Sequence, residues 1–186
     1  MKKPTITGPT YLTLIRMVLA IVFSIFVMIP YTWTKITALV IFITAAITDK
    51  IDGIWARRKK LVTDLGAFLD PLADKMLVNL AFLILTYQNI IPLWVFAIIL
   101  VRDLAVDGMR MMAARNKITI AASFYGKAKT TAQMLTLSIF LLNTIINNNV
   151  LDIIGNILLY LSLVLTIFSG LDYLIKGYNK VIKPKK

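Results

Sequence analysis

The chain has 186 residues, 59% of them hydrophobic, and a mean hydropathy of +0.79. This excludes an ordinary soluble domain and suits a helical membrane protein. The formal charge of +12 would suit a nucleic-acid binder, but long apolar spans part the basic residues instead of one stripe gathering them, so nucleic acid is not an expected partner.

The first ten residues, with Lys2, Lys3, Pro4 and Pro9, read as a juxtamembrane segment. The apolar run after them is long and lacks a small-residue cleavage site, so the first span is expected to stay as an anchor. A helix needs roughly 20 residues to cross a hydrocarbon core about 30 Å thick. Six segments approach that length, and transmembrane helices are predicted over 11–29, 35–57, 68–88, 91–114, 123–146 and 150–174. The expected architecture is all-α and polytopic, with residues 1–186 forming one membrane-embedded domain.

Three short breaks, 30–34, 88–92 and 147–149, carry almost no positive charge and fall on one side. The opposite side collects Lys2, Lys3, Arg57, Arg58, Lys59, Lys60, Arg110, Arg115, Lys117, Lys127, Lys129 and the basic tail from Lys176 to Lys186. By the positive-inside rule both termini face the cytoplasm, and the tail at 176–186 lies against anionic headgroups.

All nine acidic residues are Asp, and four of them stand out by their spacing. Asp49 and Asp52 are i,i+3 on one predicted helix, while Asp70 and Asp74 are i,i+4 on the next, so each pair shares a helix face. The polar stretch from Arg57 to Gly66 is short enough to make these helices antiparallel neighbours, with the two pairs facing each other near the cytoplasmic surface. Two unit charges about 4 Å apart repel by about 4 kcal/mol at an effective dielectric of about 20, so four clustered carboxylates need cationic compensation. Lys50 and Lys75 each follow an Asp by one position and point elsewhere on the helix, and Arg57 compensates in part. Divalent Mg²⁺ or Mn²⁺, which prefer carboxylate and water oxygens, are the stronger candidates. A satisfied structural network is the alternative, but carboxylates at a membrane border are functional by default.

The chain contains no cysteine and no histidine, so Cys/His zinc sites, thiolate nucleophiles and imidazole bases are excluded. Gly53, Ala56 and Gly66 lie four residues from Asp49, Asp52 and Asp70 respectively, small residues that admit a ligand or another backbone.

The full pattern, Asp49-x2-Asp52-Gly53-x2-Ala56-Arg57-x8-Gly66-x3-Asp70-x3-Asp74, resembles the signature of the CDP-alcohol phosphotransferase family at every defined position. The stretch from Gly66 to Val78, with Pro71 and Lys75, is similar to the bacterial branch that makes phosphatidylglycerophosphate. Further similarity lies in Arg102-Asp103-Leu104, Asp107-Gly108-Met109-Arg110, Gly126-Lys127-x-Lys129-Thr130-x2-Gln133-Met134 and Ser169-Gly170-x-Asp172-Tyr173. Departures are Thr10, where an amide is usual, and Asp103 and Asp107, where many relatives carry Glu and Ser.

The resemblance implies a homodimer of six-helix subunits in the bacterial cytoplasmic membrane, with the active site on the cytoplasmic side. It also implies two divalent cations, Mg²⁺ or Mn²⁺, held by Asp49, Asp52, Asp70 and Asp74. The implied donor is CDP-diacylglycerol, its cytidine and ribose admitted by Gly53, Ala56 and Gly66 and its pyrophosphate met by Arg57 along with Asp49 and Asp52. With no histidine present a carboxylate must take the acceptor's proton, and the family pattern assigns that role to Asp74. The implied acceptor is sn-glycerol 3-phosphate, whose phosphate requires cations; Arg110 and Lys127 are the preferred pair, with Arg102 and Lys129 as further candidates. Competing readings are a relative using inositol phosphate or serine, and a divalent-cation transporter.

Overall fold

The computed structural model describes residues 8–59, 64–115 and 124–177, with side chains except at 8–13, 49–59, 64–72, 74, 114, 115, 124 and 176. Six α-helices and no strand occur among the described residues: α1 Gly8–Met28, α2 Thr32–Lys59, α3 Asp64–Tyr87, α4 Leu93–Arg115, α5 Phe124–Ile146 and α6 Asn149–Gly177. Each predicted segment matches one helix. The largest boundary difference is at α3, which begins at Asp64 instead of 68 because helix extends back through the polar residues before Gly66.

Asparagine chemistry sets the turns at one end of the bundle. Asn89 and Asn147 have φ of 58° and 54°, the left-handed region that asparagine tolerates better than other residues with a Cβ. After α3, the Asn89 amide donates to the Thr86 carbonyl and the Ile90 amide to the Leu85 carbonyl, closing the helix as a Schellman turn before Pro92. After α5, Asn143 Oδ1 accepts from the Asn148 amide at 2.8 Å, and its Nδ2 donates to Asp152 Oδ1 at 2.6 Å. Asn148 then caps α6 by accepting from the Val150 amide at 2.8 Å.

Two side chains bring these turns together. Lys35 Nζ donates to the Thr144 carbonyl in the last turn of α5 at 3.1 Å, and Gln88 Nε2 donates to the Val27 carbonyl in the last turn of α1 at 3.4 Å. Both carbonyls are helix-end acceptors without an intrahelical partner. The three breaks expected on one side therefore do share one end.

All six helices contribute to one apolar core that includes Ala20 and Phe23 of α1, Phe42 of α2, Phe82 and Leu85 of α3, Ile99 of α4, Leu137 and Phe140 of α5, and Leu159 of α6. Helices α5 and α6 pack most extensively, with the Phe140 ring against Gly155, where an added Cβ would lie 2.7 Å from the ring. Helix α1 packs on both α2 and α3, while direct α2–α3 contact is slight among the described residues.

The outward face of α6 is apolar as well, with Val150, Ile153, Ile157, Phe168 and Ile175 all exposed. A helix apolar on both faces matches a lipid environment. Asn149–Ile175, 27 residues, is the one described segment long and apolar enough to cross a membrane by length and composition, and shorter apolar stretches run over Leu14–Met28, Thr32–Thr48 and Lys75–Tyr87. Charges such as Arg102, Asp103, Asp107 and Arg110 in α4, and Lys127 and Lys129 in α5, interrupt the other helices.

Asn147→Ala is expected to destabilise the protein by about 1 kcal/mol through its left-handed φ, lowering the unfolding midpoint by about 2–4 °C. Asn147→Gly is expected to leave the midpoint unchanged, and a thermal melt in detergent compares the two.

Candidate functional site

Asp49 and Asp52 fall in the second half of α2, which stays helical through Gly53 and on to Lys59. Asp70 and Asp74 fall in the first half of α3. The two carboxylate pairs thus occupy consecutive helices on either side of residues 60–63, each with the helical spacing that shares a face. The side chains of Asp49, Asp52, Gly53, Ala56, Arg57, Gly66, Asp70 and Asp74 lie outside the described residues. Among the described residues no three acidic side chains converge to hold a metal ion.

Beyond the signature, the chain builds a belt of charge across four helices at the end opposite the asparagine turns. Its hub is Asp103 on α4, 4% exposed. A carboxylate so buried must be paired and hydrogen-bonded to stay ionised. Lys129 Nζ of α5 donates to Asp103 Oδ1 at 2.5 Å, and Arg102 Nη1 donates to the same oxygen at 2.9 Å. The other arm of Arg102, Nη2, donates to Ser169 Oγ of α6 at 2.5 Å. One turn further along α4, Asp107 pairs with Lys75 of α3. Near the end of α4, Arg110 Nη2 donates to Tyr173 Oη at 2.6 Å, and its guanidinium carbon lies 4.9 Å from the Tyr173 ring centre.

The proposed acceptor cations therefore occupy different situations. Arg102 and Lys129 are joined through Asp103 and withdrawn from solvent. Arg110 is held on α6, and Lys127 lies on the exposed side of α5. No described bond joins Arg110 to Lys127, so the preferred pair is not a contact pair in this structure.

Among the described residues the belt gathers Lys75, Arg102 and Lys129 around Asp103 and Asp107. Arg102 Nε is buried and has no hydrogen-bond partner among the described residues. A buried donor left unmatched costs about 1–3 kcal/mol, and more when charged. The sequence reading left Asp103 and Asp107 without roles and did not use Ser169. The available signal was two carboxylates at i,i+4 in a largely apolar helix, which cannot stand there without cations close by.

The family model of CDP-alcohol phosphatidyltransferase matches residues 6–168. The chain belongs to this family. It is 34% identical over 183 residues to a Bacillus subtilis protein named CDP-diacylglycerol--glycerol-3-phosphate 3-phosphatidyltransferase, covering 92% of this chain and 95% of that one. Proteins of the same name from Yersinia enterocolitica and Shigella flexneri are similar too: the first is 36% identical over 181 residues, covering 95% of this chain and 97% of the relative. The second is 38% identical over 171 residues, covering 89% and 92%. The match runs from α1 into α6, through the aspartate signature and the part of the belt on α3, α4 and α5, and ends just before Ser169.

Lys129→Met leaves Asp103 buried with Arg102 as its remaining partner, and a loss of about 3 kcal/mol is expected. Adding Asp103→Asn to Lys129→Met should recover part of that loss, because the uncompensated charge goes with it. The order of unfolding midpoints, wild type above double variant above single variant, checks this.

Proposed function

We propose that this chain transfers the phosphatidyl group of CDP-diacylglycerol to sn-glycerol 3-phosphate, giving phosphatidylglycerophosphate and CMP. The observation that carries the acceptor class is the gathering of cations Lys75, Arg102, Arg110 and Lys129 at one end of α3, α4 and α5, with Arg102 Nε buried and unpartnered among the described residues. A neutral alcohol has no use for it, whereas an acceptor with its own phosphate does. The names of the relatives agree with this acceptor.

Four aspartates and no histidine or cysteine form an all-oxygen donor set, which fits hard divalent cations. Asp49, Asp52, Asp70 and Asp74 would hold two of them, Mg²⁺ or Mn²⁺, and the bound cations would neutralise pyrophosphate charge. Gly53, Ala56 and Gly66 would leave room for cytidine and ribose, and the planar fork of Arg57 would meet the pyrophosphate. Asp74 would accept the proton of the acceptor hydroxyl as its oxygen bonds to the lipid-side phosphorus and the bond from that phosphorus to CMP breaks. Arg110 and Lys127, less enclosed than the belt, would grip the acceptor phosphate, while Arg102 and Lys129 would supply the fixed positive field behind it.

The whole chain would act as one catalytic unit with six spans in the bacterial cytoplasmic membrane, paired as a homodimer, with both termini and the site on the cytoplasmic side. Segregation of charge supports that orientation: the signature and belt share one end, and the asparagine turns the other. It also counts against a cation transporter, because the core between the two ends is lined by Phe23, Phe42, Phe82 and Phe96 with no ionisable relay among the described residues. A serine acceptor leaves the belt's charge without a purpose; an inositol phosphate would use it and is separated by assay.

CMP release from CDP-diacylglycerol on adding sn-glycerol 3-phosphate, and not serine or inositol phosphate, is the expected outcome, abolished by EDTA and restored by Mg²⁺ or Mn²⁺. Asp74→Asn is expected to lower kcat by about 10²–10⁴-fold, the range for a lost general base. Arg110→Gln and Lys127→Gln should each raise the KM for glycerol 3-phosphate roughly tenfold, about 1.4 kcal/mol, with the KM for CDP-diacylglycerol unchanged. Steady-state kinetics in mixed micelles read all three.

A further inference from the structure

Ser169 and Gly170 on α6 are both fully or nearly buried, and both touch one side chain, Arg102 of α4. A Cβ built on Gly170 would lie 2.8 Å from Arg102 Cγ, 3.4 Å from its Nε and 3.7 Å from its Cδ. Carbon atoms in favourable contact stand about 3.5–4.0 Å apart, so the arginine stem fills space that only glycine leaves. The other notches on α6 receive apolar side chains, Phe140 at Gly155 and Met109 at Gly177. Gly170 alone among them receives the stem of a charged residue. Gly108, on the same helix as Arg102, has nothing within 4 Å of a built Cβ, so close filling is not a general property of these helix glycines.

The two neighbours divide the work. Gly170 takes the stem, and Ser169 Oγ accepts from Nη2. Asp103 takes Nη1. Two of the five guanidinium N–H donors are thereby used and the stem is seated, while the buried Nε has no partner among the described residues.

We propose that Ser169 and Gly170 are positioning residues for acceptor binding: they form a seat that fixes the Arg102 guanidinium, and with it the positive field behind the acceptor's phosphate. This rests on the phosphate-bearing acceptor proposed above. Neither residue touches the substrate; both act through Arg102.

The test is a double-mutant cycle on the full-length protein in detergent with CDP-diacylglycerol. Gly170→Ala is expected to raise the KM for sn-glycerol 3-phosphate fivefold or more, with kcat and the KM for CDP-diacylglycerol within twofold of wild type. In an Arg102→Ala background, where there is no stem to displace, Gly170→Ala should add nothing. An equal effect in both backgrounds makes Gly170 a plain helix-packing notch and overturns the proposal, as does an unchanged KM in the first variant. If Gly170→Ala does not fold, Ser169→Ala, which only removes an atom, replaces it: a two- to threefold rise in the same KM that disappears in the Arg102→Ala background is expected, and a rise that persists there overturns the seat. If the unaltered enzyme does not turn over sn-glycerol 3-phosphate at all, the acceptor reading fails separately. The seat is then read from unfolding midpoints: a loss on Gly170→Ala that vanishes with Arg102→Ala supports it, and an additive loss overturns it.

Discussion

Charge in an apolar bundle must be paired, and the buried carboxylate of Asp103 is where that constraint bears hardest. It draws Lys129 from α5 and Arg102 from its own helix, and Arg102 in turn reaches α6. Lys75 and Asp107 extend the same logic to α3. The result is an ionic lattice spanning four helices in which the position of each group depends on the others. Replacing such a lattice by apolar residues is often neutral or stabilising in folded proteins, so stability alone is a weak reason for its presence.

The same constraint divides the molecule lengthwise. One end is closed by neutral asparagine turns that satisfy helix-end amides and carbonyls internally, with Lys35 and Gln88 bonded to carbonyls of neighbouring helices. The other end holds nearly all of the ionised groups. Between them lies a core of phenylalanine, leucine and alanine. A lipid substrate with a polar head suits such a division, since its two parts need the two environments at once.

Much of this was legible in the sequence because it is local. Apolar stretches gave the six helices within a few residues, and the spacing of Asp49, Asp52, Asp70 and Asp74 placed them on two consecutive helices. The Asn-rich break read correctly as a turn, although the left-handed backbone at Asn147 and the bridge from Asn143 to Asp152 needed the fold. What stayed hidden is the pairing across helices. Asp103 and Lys129 are 26 residues apart, and Arg102 and Ser169 are 67 apart; nothing in either helix's own pattern names its partner. Lys129 accordingly looked like one free cation of four, when its charge is already committed to a buried carboxylate.

The placement of α1 against both α2 and α3 has a further consequence. The halves of the aspartate signature belong to α2 and α3, and both of these helices pack on α1, which contributes none of the signature's residues. Packed helix axes lie about 8–10 Å apart, set by the bulk of the side chains between them. The buried face of α1, with Ala20 and Phe23, thus works as a common footing: a change in its bulk shifts the seating of both helices that carry the aspartates without altering any one of the aspartates themselves.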